Sequence, residues 1–452
     1  MKKILFSVMA VMALSSLMLS CSSSSDGVEE LGDLGETKQV VNMLSEAKPI
    51  QLTKAQTVFV NDNNQFTLNF LKTVNETDQS GKSFIYSPLS ITYVLGMVND
   101  AATGQTEQEL EQTLGFHEGG IQAVNDYCKN LIDNLPEVDE DVTLNIANAI
   151  FVNKNKATLK AQYQQDMLNY YDAKAEDLDF EAPETLGHIN GWCKEKTKDM
   201  IPTILDEVNP SAVSYLLNAI YFKADWASKF DQKNTKEETF TTDNGSTKLP
   251  LMHQNVLINY VKNAIFSAVN IPYGNGMWNM TVLLPEEGKT TDDIINHLAT
   301  FGINGIEGAY CEIEDGIATM SAVTFSPYEV DLKLPRYETF SDTDQIDGYL
   351  IGLLQKMGIH LAFDSNFAEI PNMCESGNVY ISKMRQKAKI KVNEEGSEAA
   401  AVTVAEMAYT TAFTPQPREY PKATFHANRP FVYVIREASS GVILFVGKFT
   451  GA

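Results

Sequence analysis

The chain has 452 residues, 44% of them hydrophobic, which is enough for one large domain or for two to three small ones. Its formal net charge of −24 argues against nucleic acid and anionic lipid as partners. The five cysteines show neither metal-ligand spacing nor a CxxC pair, so we expect buried thiols rather than a disulfide framework. They lie at positions 21, 128, 193, 311 and 374.

The N-terminus has the pattern of an export signal. Lys2 and Lys3 precede an apolar run over residues 4–19, which is too short for a comfortable membrane span. The run ends in LMLSC, which resembles a bacterial lipoprotein box with Cys21 as the lipidated residue; an ordinary secretory signal is the alternative. We therefore expect a lipoprotein signal peptide over residues 1–21 and a Ser-rich, acidic, disordered tether over residues 22–48. A folded domain follows over residues 49–452.

Two helices and a capping motif are predicted in the first part of this domain. Residues 58–74 carry apolar side chains at helical spacing, and a second apolar helix is expected over residues 93–101, after the stretch FIYSPLSI. In the segment AATGQTEQEL, Thr106 and Glu109 have the spacing of a capping box, which predicts a helix start there.

Further along, short apolar runs predict strands. The stretch LNIANAIFV (residues 144–152) has the composition of a central strand, and residues 280–285 that of a buried strand ending at a proline. Residues 330–337 alternate like an exposed edge strand, and the helix that opens at Leu353 is expected to end at Gly358. Residues 302–322 have no clear assignment from their pattern.

The segment from residue 394 to 430 has two possible conformations. Its Ala- and Glu-rich part, 396–408, is compatible with a short helix. At period two, however, Glu398 and Glu406 fall on one face, and the other face carries no charge, which is typical of a strand with one buried and one wet face. We interpret it as a loop that can become a strand. The three prolines of residues 410–421 indicate an exposed loop.

Several of these segments together resemble one family. VNEEGSEAAAVT (residues 392–403) resembles the hinge of the serpin reactive-centre loop, and FHANRPFVYVIRE (425–437) resembles the segment after that loop. FIYSPLSI and LLNAIYFKADW (216–226) resemble serpin motifs under the central sheet. The resemblance covers about residues 55–452. It implies an α+β serpin fold: a large, mainly antiparallel central sheet with helices, two smaller sheets and an exposed reactive-centre loop at about 394–425.

The resemblance also implies a set of site residues. The sheet-opening region would contain Ser87, Ser90, Asn218, Trp226 and Gln386. Many serpins carry His at the last of these positions, and Gln keeps the hydrogen-bonding capacity of His but not its pH sensitivity. The hinge would consist of Glu394, Glu395, Gly396, Ser397, Glu398, Ala399, Ala400, Ala401, Val402 and Thr403.

Family spacing places the reactive bond between Thr410 and Thr411, 16 residues after Glu394, with Tyr409 as the next candidate. Threonine suggests an elastase-like target, and Tyr409 would suggest a chymotrypsin-like one. A trypsin-like target is less favoured, because Arg418 lies 24 residues past Glu394. Cleavage there would leave a stretch of uninserted chain between the inserted strand and the protease.

The expected function is inhibition of serine endopeptidases, and by extension of cysteine proteases, by trapping the protease as the loop inserts into the central sheet. We expect a monomeric, exported bacterial lipoprotein anchored to the outer membrane through Cys21 and facing the periplasm or the exterior. We expect no nucleic-acid partner, no cofactor and no metal site.

Three other functions stay open from sequence. The first is a non-inhibitory, serpin-fold binding lipoprotein, which the small, neutral hinge residues disfavour. The second is a lipoprotein hydrolase, although the chain lacks GxSxG, HExxH and a P-loop, and its six histidines show no ligand spacing. The third is a structural surface lipoprotein.

Overall fold

The computed structural model describes residues 45–117, 119–314, 317–346, 348–397 and 419–451; of residues 308–322 it describes the backbone alone. Within these ranges the α-helices are α1 (Lys54–Thr77), α2 (Pro88–Ala101), α3 (Gly104–Leu114), α4 (Gly120–Asn134), α5 (Ala161–Tyr171), α6 (Thr185–Lys196), α7 (Thr291–Phe301) and α8 (Tyr349–Lys356). The strands are β1 (Phe84–Tyr86), β2 (Thr143–Asn153), β3 (Lys174–Leu178), β4 (Ser214–Asp225), β5 (Lys236–Thr242), β6 (Gly245–Lys262), β7 (Phe266–Tyr273), β8 (Trp278–Pro285), β9 (Gly308–Glu314), β10 (Ile317–Val323), β11 (Ser326–Pro335), β12 (Tyr337–Asp342), β13 (Met384–Val392), β14 (Gly396–Ser397), β15 (Lys422–His426), β16 (Phe431–Glu437) and β17 (Ile443–Phe449).

The strands form three sheets. The central sheet has six strands in the order β12-β13-β14-β4-β2-β3, and β13 also pairs with β4. A nine-stranded sheet runs β1-β17-β16-β8-β7-β6-β11-β15, with β5 paired to β6. This sheet is larger than the central sheet. Its strand β6 spans 18 residues and pairs with β5, β7 and β11 along its length. The third sheet is the hairpin of β9 and β10.

Period-two alternation places the two faces of the central sheet in different cores. In β4, Leu216 and Ile220 belong to the main core, whereas Leu217 and Ala219 face a smaller core under α6. The same alternation divides β2, where Ile150 and its alternate neighbours face the main core. The central strands are therefore apolar on both faces, as expected for a sheet covered on both sides.

The expected fold class is confirmed: a mainly antiparallel central sheet, accompanying helices and two further sheets are all present. The expected relative size of one sheet is wrong, because the nine-stranded sheet is larger than the six-stranded central sheet. The predicted strands over 144–152, 280–285 and 330–337 correspond to β2, β8 and β11, and the first two predicted helices correspond to α1 and α2. The predicted edge position of residues 330–337 is wrong, because β11 pairs with β6 on one side and β15 on the other. Segment 302–322, unassigned from sequence, contains most of the β9–β10 hairpin, whose seven register pairs join its two arms.

The predicted capping box at Thr106 is wrong. Helix α3 begins at Gly104, so Thr106 lies inside the first turn, and its buried Oγ1 accepts a hydrogen bond from Glu369 N at 3.0 Å. A tertiary contact therefore uses the hydroxyl that a local capping motif would require.

The N-terminal end of the described chain lies against the folded body. Ser45 Oγ donates to Asp139 Oδ1 at 2.6 Å, Lys48 N donates to Val138 O at 3.2 Å, and Ile50 is buried. Ser45 and Lys48, which make these contacts, lie inside the stretch assigned from sequence to the tether. No helix among the described residues is both long and apolar enough to cross a membrane.

Candidate functional site: the hinge and the sheet opening

The hinge begins as a short strand inside the central sheet. β14 lies between β13 and β4: Ser397 is the register partner of Val392 on one side and of Ala224 on the other. The turn that connects β13 to β14 is closed by a hydrogen bond from Asn393 N to Gly396 O at 2.9 Å. The Asn393 side chain stabilises it further, because its Oδ1 accepts from the backbone N–H groups of Glu395 and Gly396.

Trp226 fastens this turn to the end of β4. Its indole Nε1 donates to Asn393 O at 2.9 Å, and its backbone N donates to Glu395 O at 2.7 Å. The ring stacks on Tyr273, with centroids 4.3 Å apart and planes 11° from parallel. Trp226 is buried by these contacts, at the end of the sheet where the hinge lies.

Both hinge glutamates have cationic or hydroxyl partners. The Glu394 side chain is 3% exposed and accepts from Thr235 Oγ1 at 2.8 Å, with Arg336 Nη1 at 3.4 Å. Glu395 pairs at 2.8 Å with Lys229, which also pairs with Asp225 at 2.8 Å. Burial alone would lower the pKa of Lys229, but its hydrogen bonds to the two carboxylates outweigh burial and raise it. The hinge is thus electrostatically tied to β4.

The two strand residues of the hinge fit a space that admits only small groups. Ser397 is fully buried, and its Oγ lies 2.7 Å from Tyr273 Oη. A Cβ atom added to Gly396 would lie 2.1 Å from Ala224 O and 2.6 Å from Asp225 Cα, both backbone atoms that a side-chain rotation cannot remove. Burial raises the pKa of Tyr273 far above its usual range, so the tyrosine stays a neutral hydroxyl beside Ser397.

At the other end of the seam, β13 and β4 pair with each other directly. The parallel pairing joins Met384–Lys387 to Leu216–Ala219, and Gln386 and Asn218 are register partners within it. The Gln386 side chain holds the start of α2: its Oε1 accepts from Ser87 N at 3.1 Å and its Nε2 donates to Ser87 O at 2.8 Å. Ser87 Oγ in turn donates to Ser90 Oγ at 3.1 Å.

The site residues inferred from the family thus form two clusters rather than one. Gln386 bonds to Ser87, and Ser87 bonds to Ser90. Asn218 is the register partner of Gln386 in the sheet, and its Nδ2 donates to Asn148 Oδ1 at 2.9 Å. Trp226 lies with the hinge at the end of β4. Hinge residues 398–403, the candidates Tyr409, Thr410 and Thr411 at the reactive bond, and Cys21 lie outside the described residues.

Sequence reasoning missed several contributors to both clusters. Asn148 carried a detectable signal, since it is an amide inside the apolar run LNIANAIFV. The others carried none. Asn393 directly precedes the hinge, and the remaining ones are ordinary residues brought in from distant segments: Lys229, Tyr273, Arg336 and Thr343.

The chain that follows the loop is anchored by a carboxylate between two imidazoles. Asp331 on β11 hydrogen-bonds His253 on β6 at 2.7 Å and His426 on β15 at 3.0 Å. Burial of Asp331 would raise its pKa, but these two hydrogen bonds outweigh burial and lower it, so the carboxylate is ionised at neutral pH. The edge strand β15 is therefore held to its sheet by side chains as well as by backbone pairing with β11.

In the part of the chain that the structure describes, no group of three or more His, Cys, Asp or Glu is arranged to hold a metal ion. Cys128, Cys193 and Cys374 are buried free thiols, as expected from sequence. Burial raises the pKa of Cys374 to about 11 and that of Cys193 to about 12, which keeps both thiols protonated and unreactive.

Comparison with known proteins agrees with this architecture. The profile of the family described as Serpin (serine protease inhibitor) matches residues 61–451. Serpin B6 of Bos taurus is 31% identical, with 86% of this chain and 97% of that protein covered. Leukocyte elastase inhibitor of Xenopus tropicalis is 29% identical, with coverage of 85% and 97%.

A solved structure is similar as well. The thermophilic serpin tengpin in its native state superposes with a TM-score of 0.71 at 26% identity, covering 90% of this chain and 97% of that one. A family match over residues 61–451, relatives aligned over nearly their full length and a hinge that starts as a strand of the central sheet lead to one assignment. The chain belongs to the serpin family of protease inhibitors.

Proposed function

We propose that this protein inhibits serine endopeptidases as a suicide substrate, by inserting its cleaved reactive-centre loop into the central sheet. One observation carries the proposal: the hinge turn and the first two residues of the inserting strand already lie between β13 and β4. Forming a new strand from that start requires only extension, because the costly step of closing its turn is already complete.

The register of β14 determines what extension would meet. In that register, residue 399 pairs with Ile390 and Phe222, and residue 401 with Ala388 and Ile220. From Val402 onward, each added residue displaces part of the existing pairing between Met384–Lys387 and Leu216–Ala219. Insertion would therefore have two stages. Up to residue 401, the new strand lies between segments of β13 and β4 that do not pair with each other among the described residues. From Val402 onward, it separates β13 from β4.

The inward side chains suit this path. Ser397 faces the core, so alternation sends Ala399, Ala401 and Thr403 to the same face. Each is small and neutral, whereas a buried charge without a partner would cost several kcal/mol. About 16 inserted residues would add on the order of 10 hydrogen bonds at roughly 0.5–1.5 kcal/mol each. That gain rivals the roughly 5–15 kcal/mol stability of an ordinary domain.

The chemistry is that of an interrupted acyl transfer. The protease serine Oγ attacks the carbonyl carbon of Thr410, the bond to Thr411 breaks, and the Thr411 nitrogen leaves with a proton as a new amino terminus. An ester then joins Thr410 to the protease. Insertion of the freed strand carries the protease along the sheet and distorts it before water can cleave that ester.

We further propose an elastase-like or chymotrypsin-like target and a lipid anchor at Cys21 that holds the inhibitor at the outer membrane, facing the periplasm or the exterior. The relative named leukocyte elastase inhibitor supports the first part. Tyr409 and Thr410 are the sequence basis for the proposed target class, and the LMLSC motif is the sequence basis for the proposed lipid anchor.

The test uses the lipid-free form without residues 1–21, incubated with elastase, chymotrypsin, trypsin and papain. Each mixture is run on a denaturing gel, and the released C-terminal peptide is weighed by mass spectrometry. A band at the summed mass with a serine protease, and a peptide that starts at or near Thr411, are expected. Cleavage by all four proteases with no such band would favour a non-inhibitory serpin.

A matched pair of variants tests the insertion step itself. Ala401→Arg places a charge on the inward face, so we expect a loop that is cleaved without trapping the protease. Ala400→Arg makes the same change on the outward face and is expected to trap nearly as well as wild type. Equal trapping by the two variants would contradict insertion in the register of β14.

A further inference from the structure

The N-terminal end of the described chain is attached to two loops of the folded body. Ser45 Oγ donates to Asp139 Oδ1 at 2.6 Å, in the loop before β2, and accepts from Asn275 Nδ2 at 3.3 Å, in the turn between β7 and β8. Asn275 N also donates to Asp139 Oδ2 at 2.8 Å, so the two loops hold each other. Asp139 is fully buried, which fixes the point at which the chain joins the body.

The same turn between β7 and β8 lies behind the hinge. Tyr273, where β7 enters the turn, stacks on Trp226, and its Oη lies 2.7 Å from Ser397 Oγ. Gly274 N donates to the carbonyl oxygen of Asp225, the last residue of β4, at 2.9 Å. The N-terminal attachment and the hinge therefore lie at one end of the central sheet, called the hinge end below.

The opposite end of the central sheet, called the far end below, is one strand length away. β4 runs over 12 residues from Ser214 to Asp225, which corresponds to about 35–40 Å. Val152 near the end of β2 is the register partner of Ser214, so the turn that follows β2 also belongs to the far end. The proposed insertion fills the sheet from the hinge end toward the far end.

The length of chain before Ser45 limits the distance between the hinge end and a lipid on Cys21. Cys21 precedes Ser45 by 24 residues, which span at most about 80–85 Å when fully extended. Their Ser-rich, acidic composition predicts a flexible coil, for which the end-to-end distance is about 27 Å. That distance is shorter than β4, and the body cannot enter the bilayer. A lipid on Cys21 would therefore hold the hinge end closer to the membrane than the far end.

We propose that the lipid anchor presents the hinge end to the membrane, so that the reactive-centre loop preferentially meets proteases at the membrane surface. The partner is then a protease bound to the membrane that carries the inhibitor, rather than one that diffuses in bulk solution. The inference rests on the proposed lipid anchor at Cys21 and on the proposed loop insertion. Insertion would move a trapped protease toward the far end and away from the membrane.

The charge of the molecule favours attachment through the tether alone. The formal net charge of −24 opposes adsorption of the body to an anionic membrane surface. Lys48, close to the attachment point, is already paired with Glu140 at 2.8 Å. The body is therefore expected to stand off the membrane on its tether rather than lie against it.

The first experiment measures the orientation alone. The mature chain, which begins at Cys21, is coupled through that thiol to a maleimide lipid in phosphatidylcholine vesicles. Cys311→Ser removes the one other thiol that is not among the three buried ones. A fluorescent donor is attached through a clickable amino acid at one of two exposed lysines, and energy transfer to acceptor lipids is measured. Lys233 lies at the hinge end, and its matched control Lys156 lies at the far end, in the turn after β2.

We expect more efficient energy transfer from the Lys233 position than from the Lys156 position. Equal transfer from the two positions, or more efficient transfer from Lys156, would overturn the proposed orientation.

The second experiment tests the consequence for trapping. The protease that the gel assay identifies, elastase by expectation, is attached to the same vesicles, and formation of the covalent complex is timed on denaturing gels. One inhibitor is anchored at Cys21. The other carries Cys21→Ser and Lys156→Cys, and is anchored at the far end through a lipid spacer that matches the length of the tether.

Anchoring at the far end moves the hinge away from the membrane by about the length of β4, which lowers its effective concentration at the surface. We therefore expect the form anchored at Cys21 to trap vesicle-bound protease about three times faster or more. Both forms should trap soluble protease at the same rate. Equal rates with vesicle-bound protease would overturn the proposed preference for membrane proteases.

The outcomes separate this inference from the proposals on which it rests. If the chain purified from membranes has a mass that shows no lipid on Cys21, the anchor is contradicted, and this inference with it. If neither form traps soluble protease, only the inhibitor is contradicted, because the donor measurement still decides the orientation.

Discussion

Gln386 shows how one side chain can hold two layers of the molecule together. It lies on β13, is almost fully buried, and satisfies both backbone groups of Ser87 at the start of α2. Its own backbone N donates to Thr343 Oγ1 at 3.0 Å. Helix α2 therefore depends on the position of β13, the strand that would have to move in the proposed opening of the sheet.

We expect Gln386→Leu to destabilise the native state by roughly 2–5 kcal/mol, since it leaves the Ser87 N–H buried without a partner and removes one of the two hydrogen bonds to the Ser87 C=O, the other coming from Ile91 N. For a folded region of this size, that loss corresponds to a decrease of roughly 3–6 °C in Tm. Thermal scans at one fixed rate would measure it. The control is Gln162→Leu, at an exposed amide that bonds only to Asp166 on its own helix; equal Tm values for the two variants would contradict this role.

At the scale of single residues, the sequence predicts the type of a site residue better than it predicts which other residues that residue contacts. The small, neutral character of Gly396 and Ser397 follows from the strand pattern, and the structure explains it by the closeness of Ala224 and Tyr273. The tyrosine itself could not be found in advance, because it is 124 residues from Ser397 in the chain. Only the folded register brings the two hydroxyls together.

At the scale of elements, β14 is described over only two residues, and the proposed mechanism depends on it more than on any other strand. Two residues of it, and the Asn393–Gly396 turn before it, are held by Trp226, Lys229 and Thr235. These contacts place the hinge in the sheet before any cleavage. The proposed loop insertion would then start from an existing edge and follow a fixed register.

We expect Gly396→Ala to reduce trapping, because its Cβ would meet backbone atoms of Ala224 and Asp225 and push the hinge out of the sheet. A clash of this kind typically costs about 1–3 kcal/mol. That cost would raise the number of inhibitor molecules cleaved per protease trapped by about fivefold or more. Titration of the proposed target protease measures this ratio.

The control for that titration is Gly187→Ala on α6, where an added Cβ meets no atom within 4 Å. It should titrate like wild type. If Gly396→Ala also did so, the close approach at the hinge would have no part in trapping.

Elements with strong periodicity were predictable, and those defined by long-range pairing were not. β2 and β8 match their apolar runs, as does α1, although its ends extend beyond the predicted residues. The length of β6 was not foreseen, since its polar and apolar residues are shared among three partner strands. Thr106 failed as a capping residue because Glu369 N, far away in sequence, binds its hydroxyl.

At the scale of the whole molecule, the native sheet has room for further pairing. β13 and β4 pair directly over four residues, and the described part of β14 lies at the opposite end of their seam. If insertion gains more free energy than it costs to separate β13 from β4, as the proposed mechanism requires, the native form is not the free-energy minimum. That form would then persist because opening the seam is slow, which is kinetic stability.

This leads to a prediction that separates an inhibitor from a non-inhibitory serpin without knowledge of the target. Cleavage of the loop by a protease that is not trapped should let the freed strand insert and make the cleaved protein more stable than the intact one. With a gain of about 5–15 kcal/mol, we expect Tm to rise by roughly 6–18 °C. Ala401→Arg, cleaved in the same way, should gain much less, because its charge resists burial at the inward position. A cleaved wild-type protein that melts at or below the temperature of the intact form would show that the loop does not enter the sheet, and trapping by insertion would then be impossible.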